Sequence, residues 1–273
     1  MASAAQRITI EADIPDVYAG GGFAHDDFEE LLATYIRANG HVDYDSWHAN
    51  AGDLGKLDGY LAAVSAFSPE NANERFSSRN DELAYWMYAY NAYVIKAILV
   101  RWPLDSVTDV KATFEIVRGL GFFYSQRFRF GEKWYSLYTV ENKKIRARYK
   151  DARIHFVLNC GSESCPVLRP ELPVGDELEP FLQKAAVEFV SEERNVRIDH
   201  DNKRVVMSEI FKMYRKDFIN DLRHRGLPAR SGLLDYVASI APDELRDQLL
   251  QVTAYKVDFE DYDWSINNAI AGE

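Results

Sequence analysis

The sequence predicts an α+β protein, rich in helices, with a small mixed or antiparallel sheet. Three observations predict it. Segments with apolar residues at helical spacing outnumber those that alternate like strands. The strand-like segments are separated by irregular lengths, unlike the regular alternation of a doubly wound sheet. No glycine-rich phosphate loop follows any of them. With 273 residues, 47% hydrophobic and 27% charged, the chain can bury a large core, and its balance is that of a globular protein, not a disordered one.

Taken in order, residues 1–23 are polar and glycine-rich up to Gly22 and predict a flexible segment before a domain spanning 24–268. Residues 26–38 and 54–66 carry apolar positions at helical spacing and predict amphipathic surface helices, joined by a polar stretch with Gly40 and Val42-Asp43-Tyr44. Asn80 to Arg101 predicts the central buried helix. Asn80 or Asp81 can cap it, Glu82 falls in its first turn, and Trp102-Pro103 ends it. Its apolar content runs nearly all round, so Asn91 becomes a buried amide that must find hydrogen-bond partners. Residues 127–130 and 133–137 around Gly131-Glu132 read as a hairpin, followed by a helix from Thr139 to Tyr149. Ile154, Phe156, Val157 and Leu158 then predict a short buried strand that ends in a glycine- and serine-rich loop. A helix over Asp176 to Ser191 comes next. It is followed by a hairpin of 196–199 and 205–207 around Asp201-Asn202, short helices to about residue 250, and a last strand within Thr253–Phe259.

Composition excludes several function classes. The net charge of −11 opposes nonspecific binding to phosphate backbones. The local basic run Lys143, Lys144, Arg146, Arg148, Lys150 and Arg153 lacks interleaved aromatics and reads as a solvated helix face, so no nucleic acid partner is expected. The longest apolar stretch, Ala89–Val100, is broken by Asn91 and Lys96, and no membrane span is expected. Met1 to Gly22 lacks the basic start and apolar core of a signal peptide. The polar, glycine-rich start fits either a cytoplasmic protein's loose tail or a mature secreted chain, and the resemblance below inclines the expectation to a mature periplasmic or secreted form.

Chemistry concentrates in residues 153–166, Arg-Ile-His-Phe-Val-Leu-Asn-Cys-Gly-Ser-Glu-Ser-Cys-Pro, which hold the two cysteines of the chain. Four readings stand open. Cys160 and Cys165 are small buried hydrophobes, or a disulfide across a glycine-containing loop, or metal ligands together with His155, or one of them is a thiol nucleophile with His155 as its base. The metal reading is the poorest, because no second Cys/His pair completes a tetrahedral set. No metal or cofactor is therefore expected. On a regular strand His155 and Cys160 point to opposite faces, so a dyad requires a turn or bulge, which Gly161 allows.

Several separated pieces resemble one family, DUF547, whose function is largely uncharacterised. They are Tyr85-Trp86 with Tyr90-Asn91-Ala92, Tyr135-Ser136-Leu137 with Glu141 and Ile145-Arg146, Arg153-Ile154-His155-Phe156, Asn159-Cys160-Gly161 and Ser164-Cys165-Pro166. Ser208 with Ile210-Phe211, Tyr214, Asp217-Phe218 and Tyr262-Asp263-Trp264-Ser265 complete the set, from about residue 24 to 268. The resemblance implies that Glu141, Arg146, His155 and Cys160 recur, and that serine often replaces Cys165, which points to Cys160 as the functional thiol. The chain departs from it at Asn142, where histidine is common, and at Tyr88, where a second asparagine is common. Bacterial members often carry a secretion signal.

The set Cys160, His155, Glu141 and Asn91 resembles the parts of papain-like and transglutaminase-like thiol enzymes. In such a site Cys160 attacks an acyl carbonyl, His155 holds the proton, Glu141 or Asn91 orients the imidazole, and Asn159 or a backbone amide steadies the oxyanion. The substrate would be an unidentified small molecule or peptide, with Asn159, Tyr90, Trp86 and Arg146 about its binding cleft; in the competing reading Tyr90, Trp86 and Trp264 line a ligand cleft or simply fill the core. The competing expectation is a non-catalytic binding or scaffold domain in which the same polar groups tie the His155 segment to the central helix.

Overall fold

Helix α4, Arg79–Leu99, is the axis on which the rest is arranged, and it is buried on almost every side. The computed structural model describes residues 6–112, 119–230 and 232–269. Against α4 pack α2 (Tyr44–Ala49) and α3 (Ala51–Ala66), with α1 (Asp26–Tyr35) laid on those two, where two helices were predicted across 26–66. The α4 N-cap is Ser78, whose hydroxyl accepts from the Asp81 N–H at 3.1 Å, one turn earlier than predicted. Asn80 and Asp81 instead bond the backbone of Gly175 at 2.9 and 2.8 Å, anchoring the entry to α7, Leu178–Ser191.

Strands β1 (Phe128–Phe130) and β2 (Lys133–Tyr135) form the predicted hairpin. The following helix is continuous but not uniform. Two short α segments, α5 (Leu137–Thr139) and α6 (Ala147–Tyr149), flank a π-helical stretch over Val140–Arg146. A second sheet is mixed, as predicted. Strand β3 (Val196–Asp199) pairs antiparallel with β4 (Arg204–Met207), which pairs parallel with β5, Lys256–Phe259. Between β4 and β5 run α8 (Glu209–Met213), α9 (Arg215–His224), α10 (Leu233–Ile240) and α11 (Asp243–Gln251). The architecture is α+β. No helix among the described residues is long and apolar enough to cross a membrane.

Three expectations are corrected. The predicted strand at 154–158 is absent: Ala152–Phe156 is a 3₁₀ helix, because a short run of buried apolar residues fits a tight helix against α7 as readily as a strand. The basic run is a solvated face only in part, with Lys143, Arg148 and Lys150 exposed. Lys144 pairs with Glu70, Arg146 with Asp217, Arg148 with Glu82 and Arg153 with Asp151, each across the fold except the last. The segment predicted to be loose is pinned over its described part: Ile8 N–H donates to the Arg127 carbonyl at 2.9 Å, Tyr18 is buried, and Arg75 bonds the carbonyls of Tyr18, Gly20 and Gly22. Residues 1–5 of that segment lie outside the described residues.

Candidate functional site

The site is built on one amide. Asn91, midway along α4 and 4% exposed, donates from Nδ2 to the Val157 carbonyl at 3.0 Å and accepts at Oδ1 from the Asn159 N–H at 3.0 Å. Those two bonds dock the chain after His155 onto the central helix. Asn159 then closes the next loop on itself, accepting from the Gly161 N–H at 2.7 Å and donating to the Pro166 carbonyl at 2.8 Å. Gly161 is required twice over. Its φ is +80°, and a Cβ there would lie 2.4 Å from the Cδ1 of Ile98 on α4. The far side of the loop is held by residues 263–267. Glu163 and Ser164 donate to the carbonyls of Ser265 and Asp263, and Asn267 donates to that of Gly161.

Within this loop the two sulfurs are in contact, Sγ to Sγ 2.7 Å, and both thiols are free. The Cys160 N–H donates to the Cys165 sulfur at 3.0 Å. Ser162 Oγ lies 3.0 Å from Cys160 Sγ and donates to the Tyr262 hydroxyl, which lies 3.3 and 3.2 Å from the two sulfurs. Burial and the neighbouring Cys165 push the Cys160 thiol well up. Burial acts the same way on Cys165, but hydrogen bonds from Cys160, Ser162 and Tyr262 outweigh it and bring that thiol down to about 6. The two titrate as a unit. The pair gives up its first proton easily, because the Cys160 N–H and the neighbouring thiol and hydroxyl groups converge on the resulting anion, and its second with difficulty.

The second half of the site surrounds His155, buried at 3% exposure. Its Nε2 donates to Asp217 Oδ2 at 2.9 Å, and its ring stacks on Tyr214 at 3.9 Å between centroids. Arg146 Nε donates to the same oxygen at 2.7 Å and lies over the other ring, its guanidinium carbon 4.8 Å from the Tyr214 centroid. Burial alone would raise the Asp217 carboxyl, but hydrogen bonds from His155 and Arg146 hold it at about 2. The carboxylate is therefore ionised at neutrality. Burial lowers the His155 pKa and Asp217 only partly opposes this, so the ring is neutral there, and its Nδ1 has no hydrogen-bond partner among the described residues.

Glu141 occupies neither half as predicted. Its carboxyl is buried, which raises its pKa against the opposing effects of the Tyr214 hydroxyl and Arg146. Arg146 Nη1 stands 4.0 Å from it, although residues five apart do not meet on an α-helix. The π-helical stretch is the reason, since its i to i+5 repeat lays Arg146 above Glu141. The carboxylate on His155 is thus Asp217, not Glu141 or the Asn91 amide.

Cys160, Cys165, His155, Glu141, Arg146, Tyr90 and Trp264 all line one cavity of about 540 Å³, with Tyr124, Tyr138, Tyr214 and Tyr262 among its other walls. The expected Cys160–His155 contact is not made, because the 3₁₀ turn carries the imidazole to Asp217; sulfur and ring face the same space without a hydrogen bond between them. Trp86 is not at the site. It is fully buried against Tyr85 and Phe130 in the core. Asn91 and Asn159 support the site, each committing its amide oxygen and one amide N–H to backbone groups. The groups missed from sequence, Asp217, Tyr214 and Tyr262, all belong to the separated motifs that carry the family resemblance. Among the described residues no group of three or more His, Cys, Asp or Glu side chains is placed to hold a metal ion.

Residues 74–190 match the family model of DUF547, described as a protein of unknown function, which bears out the resemblance over that span. The match takes in α4, the π-helical stretch, His155 and both cysteines, and stops short of Asp217 and Tyr262. No curated protein and no solved structure matches the chain.

Proposed function

We propose that the cavity is the active site of a thiol-dependent acyl-transfer enzyme or amide hydrolase, with Cys160 as nucleophile, His155 as general base and Asp217 as the group that orients the imidazole. The observation that supports this most is that the sulfur pair and the His155–Asp217 pair open into one cavity. Cys160 is the more exposed sulfur and Cys165 the more buried, so an entering carbonyl meets Cys160 first. Cys160 attacks as its proton passes across the cavity to His155 Nδ1, and the carbonyl π electrons move onto oxygen, where the Tyr262 hydroxyl, 3.3 Å from that sulfur, is the nearest donor able to turn to it. Collapse of the tetrahedral species breaks the bond to the amine or alcohol, which leaves with the proton held by His155, and a thioester remains. A water that loses its proton to His155 Nδ1 then attacks the thioester, and ionised Asp217 stabilises the imidazolium so formed. The aromatic walls, including the stacked Tyr124–Tyr138 pair at 4.2 Å, suit a substrate with a flat or apolar group beside its amide or ester.

One observation favours the non-catalytic reading, a binding domain: burial holds the Cys160 thiol up, as in a structural cysteine. The test offers the protein a panel of activated esters and small peptide amides and follows acyl-enzyme by intact mass. Cys160→Ala is expected to abolish both adduct and turnover. Cys165→Ser keeps a hydroxyl beside the Cys160 sulfur and is expected to retain much of the activity. Full turnover in Cys160→Ala, or no adduct and no iodoacetamide reaction at mildly acidic pH in the wild type, would overturn the proposal.

A further inference from the structure

We infer that Cys160 and Cys165 form a redox couple that small hydroperoxides entering the cavity close to an intramolecular disulfide, and that thiols reopen. This goes beyond acyl transfer and stands without it, since it rests on the sulfurs and not on His155.

Four features of the loop carry the inference. The sulfurs are already in contact at 2.7 Å, so bridging asks for no search of conformational space. Both line a cavity of about 540 Å³ and are reached by a small solute, unlike cysteines sealed in a core. The Cys160 N–H and the hydroxyls of Ser162 and Tyr262 surround the sulfur anion, the species that attacks peroxide. Lastly, only four residues separate the cysteines, and the loop is already closed by Asn159 and by residues 263–267. Cross-linking so short and so restrained a loop adds little stability, which leaves the bond free to cycle.

The chemistry balances in two steps. A thiolate of the pair attacks one oxygen of R–O–O–H. The O–O bond breaks, an S–O bond forms, and the alkoxide leaves as ROH, taking back from solvent the proton released when the thiolate formed. The sulfur is oxidised by two electrons to a sulfenic acid and the peroxide is reduced. The other sulfur then attacks the sulfenic sulfur, forming S–S and breaking S–O, and hydroxide leaves as water with that sulfur's proton. Two thiols and one hydroperoxide give one disulfide, one alcohol and one water.

The experiment treats the full chain with hydrogen peroxide or tert-butyl hydroperoxide, denatures it in the presence of an alkylating agent, and weighs it. The expected product has lost two hydrogens, has no alkylatable thiol, yields a peptide bridged internally between Cys160 and Cys165, and regains both thiols in dithiothreitol. Cys160→Ser and Cys165→Ser each remove the resolving partner, and dimedone is expected to trap sulfenic acid on the remaining sulfur. Should either variant fail to fold, the wild-type mass and peptide map decide alone. Two alkylatable thiols after excess hydroperoxide, sulfinic acid in place of the bridge, or a disulfide linking two chains would each overturn the inference.

Discussion

Replacing Asp217 by asparagine removes one charge and almost no volume from the point where His155 and Arg146 converge. The carboxyl is held at about 2 against an ordinary 3.8. At about 1.4 kcal/mol for each tenfold change in proton affinity this amounts to ~2 kcal/mol, and screening of a side chain 28% exposed lowers it to about 1–2 kcal/mol. A carboxyl with a depressed folded-state pKa contributes stability that is fully present above its unfolded value, 3.8, and lost as pH falls through about 2. Urea unfolding followed by tryptophan fluorescence should therefore give Asp217→Asn a midpoint roughly half a molar below wild type at neutrality, with unchanged slope. The gap should narrow below about pH 4, as the wild-type carboxylate takes up its own proton. Removing the anion leaves burial and the Arg146 charge lowering the His155 pKa against the weaker pull of Asp151, so the imidazole pKa should fall further in the variant, read by NMR titration of the ring protons. A variant as stable as wild type at neutrality, or a deficit that stays constant into acid, would refute the assignment of Asp217 as the ionised partner of His155.

Three further outcomes follow from the same geometry. Asn91→Ala leaves the Val157 carbonyl and the Asn159 N–H unpaired in a buried place and should cost about 2–4 kcal/mol in denaturant titrations, with Cys160 alkylation accelerated as the loop loosens. Gly161→Ala combines a left-handed residue with a Cβ pressed on Ile98, and a loss of ~2–4 kcal/mol by the same method is expected; a loss near zero would mean that the loop relaxes away from α4. Glu141→Gln should keep the fold and gain stability at neutrality, because a carboxyl with a raised folded-state pKa costs stability as pH rises above its unfolded value of 4.5. Thermal melts of the two proteins should converge below that pH.

The long-range order of this chain was legible where local chemistry was unambiguous. Helix α4 announces itself by its girth of apolar residues and the Trp102-Pro103 stop, and the two hairpins by Gly131-Glu132 and Asp201-Asn202. Asn91 was legible for the same reason, since a buried amide in such a helix needs partners and has them at Val157 and Asn159. The His155 segment was not, because Ile154, Phe156, Val157 and Leu158 have no period that separates a strand from a 3₁₀ turn. Nor was the meeting of Glu141 with Arg146, which depends on a π-helical repeat that no residue in 140–146 signals. Asp217 escaped because it is 62 residues from His155: the resemblance marked it through Asp217-Phe218, but nothing local said which imidazole it would meet.

The hydroxyl that touches both sulfurs lies 102 residues downstream of Cys160. During synthesis the cysteine loop therefore leaves the ribosome long before Tyr262 and the 263–267 segment that closes over it, and for that interval its thiols lack the donors that lower the first proton of the pair. At some 5–20 residues per second the delay is on the order of 5–20 s. Nascent chains stalled ahead of Tyr262 should consequently ionise less readily at the pair, and the chemistry described above is acquired in full only when Tyr262 arrives to complete the wall.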